Sequence, residues 1–302
     1  MLRRRFGGLA ATCAFCTALA TASLPAAFAA DPGRWVERGR TTTSISYWQG
    51  ITFDASARSF YFDGVSTGLY RTTTSLARTG GVSNVIPASV RSAEGYNHLG
   101  DLSFDTAEGG RLLLPLECYY AGQPNGGNTC QTGSIAAADP ATLSWRYYVK
   151  LDPAYIKKAM WAEVSPDGRW VWTSSGTSLL AYSAADVNPA NAAPAGPKLI
   201  PKRLTGVLPT SGVSGATFYG GRLFLALNRG TYLEVVSYDI DTTGPDPVLV
   251  DGPRREIERT KSSSLYETEG LVTASALNGE LHWQIQPQTP FYGRIISFRP
   301  AG

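Results

Sequence analysis

Apolar and polar residues alternate with a period of two along most of this chain. "GITFDASARSFYFDG", "DLSFDTAEGGRLLLPLE" and "ATFYGGRLFLALN" each contain two such runs divided by a turn rich in Gly or Asp. That alternation predicts strands with one buried face, and the turn predicts a hairpin. No apolar period near 3.6 lasts long enough for a substantial helix; "DPAYIKKAMW" offers one or two turns at most. The chain is expected to be all-β.

The pattern repeats. Segments 49–64, 100–117, 162–176, 214–230 and 269–286 each carry a strand, a turn and a second strand rich in aromatic and β-branched residues. Third strands follow in "GLYRTTTSL", "LLAYSAAD" and "LEVVSYDID". Aligning Gly50, Asp101, Glu163, Gly215 and Gly270 gives spacings of 51, 62, 52 and 55 residues. A period near fifty fits a four-stranded propeller blade with generous loops. The third repeat, "VSPDGRWVWTSSGTSLLAYSAAD", resembles the repeat unit of the β-propeller superfamily, where an Asp-Gly turn joins the first two strands. The resemblance implies a β-propeller, and five repeats make it a five-bladed β-propeller of four-stranded antiparallel blades. The segment "RWVERGRTTTSISYW" supplies a spare strand, expected to become the outer strand of the last blade and close the ring. Six blades is the alternative, because the long second repeat has room for an extra hairpin.

Composition adds compartment and charge. Residues 1–30 place three arginines before an Ala-rich apolar run ending in "AFA", the form of a secretory signal peptide. Residues 31–302 are then a single domain, expected outside the cell, either free or held at the cell wall. No second apolar run of spanning length follows, so no transmembrane segment is expected. Lys and Arg number 27 and Asp and Glu 24; residues 1–30 hold three arginines and no acid, leaving 24 of each. A balanced surface gives no electrostatic reason to expect nucleic acid. Cys118 and Cys130 remain beyond the signal segment, and an oxidising compartment makes them a disulfide. Their spacing, with no nearby histidine, does not suit a zinc site.

A propeller's inner strands line a central channel, and each inner strand enters on the face where the second strand ends. Two polar sets should meet at that mouth. The entrances supply Gln49, His98, Asp101, Glu163, Ser214, Glu267 and Glu269. The second-strand ends supply Asp63, Glu117, Ser175, Asn228 and Gln286. The strand interiors between them are apolar. Cys118 follows Glu117 directly, so the disulfide should pin the loop "YYAGQPNGGNT" over the mouth, as a ligand wall or as a surface stitch.

Asp101, Glu163 and Glu269 are the leading acids. Converging carboxylates can ligate calcium through oxygen, or divide acid and base roles as in glycoside hydrolysis. Acids at such mouths also serve simply as acceptors for strand-end amides. His98 is a candidate base or ligand, and equally a structural hydrogen-bonding group. His282, mid-strand beside Trp283, reads as packing or a local hydrogen bond. "ETEGLV" is similar to the Glu-Gly strand opening of six-bladed, calcium-dependent propeller hydrolases, which implies Glu269 as a ligand; the asparagine ligands of that family have no counterpart. Trp48 and Trp161 share a register and are read as packing wedges.

The sequence supports three functional readings. The first is a monomer that binds a small polar or carbohydrate-like molecule at the mouth, with calcium as one means of holding it. There Asp101, Glu163 and Glu269 carry the site, and Gln49, Asp63, His98, Glu117, Asn228 and Gln286 support it. The second is a hydrolase or lyase using the same carboxylates, which requires an acid of raised pKa beside an ionised one. The third is a protein-interaction scaffold. No phosphate loop, dinucleotide fingerprint, G-x-S-x-G elbow or H-E-x-x-H helix is present.

Overall fold

The computed structural model describes residues 35–301, apart from 65–66, 121–126, 211 and 290–291. The signal-peptide expectation therefore lies outside the described residues. Within them the chain is a ring of five antiparallel sheets, a five-bladed β-propeller. Blade 1 runs outward as Ile51–Asp54, Ser59–Asp63, Leu69–Thr73 and Arg78–Val82. Blade 3 is Glu163–Val164, Trp170–Ser175, Ser178–Ser183 and Lys202–Leu204. Blade 4 is Val213–Tyr219, Arg222–Asn228, Tyr232–Asp241 and Val248–Thr260. Blade 5 is Glu267–Thr273, Leu281–Gln286 and Gly293–Pro300, completed on the outside by the N-terminal strand Trp35–Thr43. First and last strands pair from Trp35 with Pro300 to Thr43 with Gly293, so the ring closes as the spare strand predicts.

Blade 2 departs from the plain pattern. Its inner position is shared by two short strands, His98–Leu99 and Ser103–Asp105, both paired with Arg111–Glu117. Ser134–Ala138 and Trp145–Leu151 follow, and Lys198–Leu199 adds a parallel edge. The long second repeat does hold an extra hairpin, Tyr119–Tyr120 with Gly127–Asn128, but it forms no sixth blade. The α-helix among the described residues, Ala88–Glu94, lies in the connection from blade 1 to blade 2. It buries none of its residues and stops at Gly95, whose φ of 82° is the left-handed conformation that glycine adopts without strain. "DPAYIKKAMW" forms turns, not helix.

The core is divided among the blade interfaces. Strand alternation sends neighbouring side chains to opposite sides of a blade. Leu112, Leu114 and Leu116 pack with Tyr61 and Leu69 of blade 1, while Leu113 between them packs with Val171 and Leu180 of blade 3. Trp161 and Trp172 fill the seam between blades 3 and 4. Trp283 fills the next, and Phe53 and Phe60 meet Val272 and Ile295 where blade 5 returns to blade 1. The "SPDG" turn is held locally: Asp167 Oδ1 accepts from Ser165 Oγ at 2.5 Å and from the Arg169 amide at 3.1 Å.

At the hub, the gap between the two inner strands of blade 2 puts Asp101 beside blade 3. Its amide donates to Met160 O (2.9 Å) and its carbonyl accepts from Ala162 N (3.0 Å). Its carboxylate crosses the channel. Oδ1 accepts from the Ile51 amide of blade 1 at 3.0 Å. Oδ2 accepts from Ala216 of blade 4 at 3.0 Å and Leu271 of blade 5 at 3.3 Å. One aspartate of blade 2 thus bonds to all four other blades. Space for it comes from three glycines. A Cβ on Gly50 would lie 2.7 Å from Asp101 Cα, and one on Gly270 would lie 2.8 Å from Asp101 Oδ1. A Cβ on Gly215 would lie 2.9 Å from Gly270 Cα. Such contacts admit no side chain.

Asp101→Ala leaves three buried amides without their acceptor, at roughly 1–3 kcal/mol each. Urea unfolding should show a loss of several kcal/mol. A variant as stable as the parent would show that the hub does not depend on this carboxylate.

Candidate functional site

A second polar layer lies below Asp101, and it relocates Glu163. Asp101 bridges Trp161, so Trp161 is blade 3's residue at the hub level and Glu163 sits two residues deeper. There Glu163 Oε1 accepts from the Phe218 amide of blade 4 (3.1 Å). Thr52 accepts likewise from Phe104 of blade 2 (3.1 Å), and Thr217 from Thr273 of blade 5 (3.2 Å). Each side chain ties one inner strand to the next. Phe218 is near the far end of its strand from Ser214, about 13 Å along it at the usual rise. Glu163 therefore faces away from the mouth.

The mouth itself is a cleft of about 290 Å³. Gln49, His98, Asp101, Glu117, Glu269 and Gln286 line it, as do Ser214 and Glu267. Asp63, Glu163 and Asn228 do not. Asn228 is an inter-blade clip: its side chain donates to Thr268 O (3.2 Å) and accepts from Thr268 N (3.1 Å). Asp63 is fully buried behind the cleft floor, where Oδ1 accepts from the Gly50 amide and Oδ2 has no hydrogen-bond partner among the described residues.

Five lining residues lie outside the sequence-derived candidates: Trp48, Gly100, Tyr119, Lys158 and Met160. Trp48 is expected from its register to be a wedge, and Tyr119 only to belong to the pinned loop. The cystine is formed, with Cα atoms 5.1 Å apart. It anchors the Tyr119–Tyr120 hairpin, while residues 121–126 of the loop lie outside the described residues. Tyr119 stacks on His98 at 5.3 Å between ring centroids. Lys158 comes from the connection before blade 3 and pairs with Glu117 at 2.8 Å. The signal for it in the sequence is the lysine pair in "YIKKAMW", just ahead of the Trp161 register position. His282 bonds Ser297 through Nδ1 at 3.0 Å and packs edge-on to Phe60.

The cleft carries an excess of acid. Glu269 is 8% exposed on the floor, and its Oε1 accepts from Gln286 Nε2 at 2.5 Å. Burial pushes its carboxyl well above the usual range, and the charges of Glu267, Glu117 and Asp63 push the same way against Lys158. Asp63 is also raised, chiefly by burial and with Glu117 adding to it. Burial raises Asp101 too, while the Ile51 and Ala216 amides pull it down; its hydrogen-bond partners are all donors, which suit the carboxylate form.

Among the described residues no three His, Cys, Asp or Glu side chains are grouped to hold a metal ion. Of the three acids expected to ligate calcium, Asp101 and Glu269 line the cleft, and Asp101, like Glu163, is engaged by backbone amides. Nor does any helix among the described residues have the length and apolarity to cross a membrane.

No protein-family model and no curated protein matches this sequence. Solved structures do. The glutaminyl cyclase of Myxococcus xanthus is similar at 13% identity with a TM-score of 0.50, over 88% of this chain and 96% of that one. A glucose dehydrogenase is similar at 10% identity with a TM-score of 0.50, over 86% of this chain and 99% of that one. At these identities the likeness is one of fold, and it agrees with the β-propeller architecture described above.

Glu163 gives a test of the inner ring. Burial pushes its carboxyl up to about 8, against the amides of Phe218 and Val164. The folded chain thus holds this proton more tightly than the unfolded chain, whose glutamate titrates near 4.5. This group's contribution is most favourable below that pH and is lost as pH rises toward 8. Glu163→Gln keeps an acceptor for Phe218 and removes the titration. Measured against wild type, the variant should become steadily more stable as pH rises from 4.5 to 8, by up to about 1.4 kcal/mol for each pH step of one. A difference that is flat with pH would contradict the assignment.

Proposed function

We propose that this chain is a secreted propeller whose central acidic cleft binds a small polar molecule rich in hydrogen-bond donors, such as a sugar, a polyol or an amine. The observation that carries the reading is Glu269 on the cleft floor, backed by Gln286 and facing an ion-paired Glu117. Carboxylates and side-chain carbonyls accept hydrogen bonds, and Gln49, Glu267 and Gln286 add acceptors around the same space. Lys158 is engaged by Glu117, so the balance of charge disfavours an anion. Trp48, Tyr119 and Met160 supply apolar walls. Calcium as a bridge to the ligand rests on Glu269 alone. The signal-like N-terminus and the cystine support an extracellular location.

A second reading is an acid–base enzyme in the same cleft. Glu269, its carboxyl raised by burial and by neighbouring acids, would serve as the general acid, with Glu117, ion-paired to Lys158, as the second carboxylate. The names of the similar structures make glucose and glutaminyl compounds, short glutaminyl peptides among them, the first to try.

Calorimetry with a panel of aldoses, polyols, amines and such peptides tests both readings. At least one compound should bind saturably. Glu269→Gln should weaken it by about tenfold or more, as expected for a lost charge-assisted hydrogen bond worth roughly 1.5–3 kcal/mol. Turnover lost in Glu269→Gln while binding survives would favour the enzyme. No binding across the panel, with or without calcium, would reject the cleft as a ligand site and leave the scaffold reading.

A further inference from the structure

We propose that the ligand is the end unit of a saccharide chain, and that the following units stack on exposed tyrosines around the mouth. This rests on the reading of the cleft as a small-ligand site and names what that ligand belongs to. About 290 Å³ is at the small end of ligand pockets, room for one compact unit. Around it the surface is unusually aromatic. Tyr119 is 42% exposed, Tyr120 51% and Tyr266 44%, among few large apolar side chains so exposed on the described surface. Burying such rings is favourable, so their clustering beside a polar cleft marks a contact surface.

Their placement follows from the fold. Tyr119 and Tyr120 are carried by blade 2, directly after Glu117 and Cys118. Tyr266 immediately precedes the inner strand of blade 5, which opens with Glu267. Blades 2 and 5 flank blade 1, so these tyrosines belong to chain segments on either side of the cleft, and Tyr119 lines it. Two of them have support: Tyr119 rests against His98, and Lys261 Nζ lies 5.3 Å from the Tyr266 ring centroid. A ring supported on one side offers its other face as a flat platform.

The chemistry selects a saccharide over other chains. A pyranose ring presents CH groups on its faces, which stack on tyrosine, and hydroxyls at its edge, which suit Glu269, Gln286 and Gln49. An anionic polymer meets the acidic floor. A peptide recognised along its length needs a free strand edge or an apolar groove, and the cleft offers carboxylates and amides instead.

The test is a glycan array followed by calorimetry with the best-binding glycan at one to six units, using the full chain. Affinity should rise about tenfold or more from one unit to three or four and then level off. Tyr266→Ala should weaken the longer ligands several-fold while leaving the single unit and the melting temperature unchanged, and Tyr120→Ala, removing a ring that strand alternation turns away from Tyr119, should have the smaller effect. Single-unit binding that does not grow with length, or tyrosine variants without effect, would overturn the extended site and leave the cleft reading standing. Tyrosine-dependent binding to a peptide array in place of glycans would overturn the saccharide assignment. Silence of the glycan array while the amines or peptides of the small-molecule panel bind would do the same; silence of both would remove the cleft reading as well.

Discussion

One carboxylate organises the centre of this molecule. The inner strands of a propeller converge on a channel where their amides point at one another across a narrow space. Backbone donors buried there need acceptors. Asp101 meets that need for three blades with its side chain and for a fourth with its backbone. The arrangement works because blade 2 breaks its inner strand at Gly100–Leu102, freeing Asp101 from its own sheet, and because Gly50, Gly215 and Gly270 clear the space. Thr52, Glu163 and Thr217 repeat the principle one layer down. Hydrophobic packing holds blade against blade, but these bonds fix the height at which the blades meet.

That height sets the floor of the cleft. Asp101 plugs the channel, so the mouth above it is a shallow basin and not an open bore. Its wall is built from side chains that already link neighbours: Ser214 from blade 4 to Thr268 O, Gln286 from blade 5 to Trp48 O, Glu117 from blade 2 to Lys158. The acids near the floor are crowded because five strand ends crowd there. Raised carboxyls at Glu269 and Asp63 are the electrostatic consequence of burial and of that crowding. Structural need and the proposed binding site thus share the same few residues, and the cystine beside Glu117 ties the Tyr119–Tyr120 hairpin to the blade that carries it.

Much of this is legible in the sequence. The hairpin repeat, five blades, closure by the N-terminal strand and the cystine follow from period, turn residues and compartment. Gly50, Asp101, Gly215 and Gly270 fall at one level, as their alignment suggests. Glu163 does not, because the short inner strand of blade 3 meets Asp101 through Trp161, and strand registers differing by two residues look equally good by alternation. What Asp101 does is hidden for a related reason. An acid at a channel entrance reads either as a ligand-binding group or as an acceptor for strand-end amides, and the amides on both its oxygens select the second. Lys158 escapes sequence reasoning because it lies on a connection with no periodic pattern, brought to the cleft by the pairing of Gly100–Leu102 with Met160–Ala162.

Hydrogen exchange of the native protein reads the hub most directly. The amides of Ile51, Ala216 and Leu271 point into the channel, so a carboxylate holding all three should place them among the slowest to exchange, opening only with the whole ring. If instead they exchange as fast as turn amides such as those of Gly168 and Gly221, Asp101 is not joining the blades, and the basin built on it has no floor.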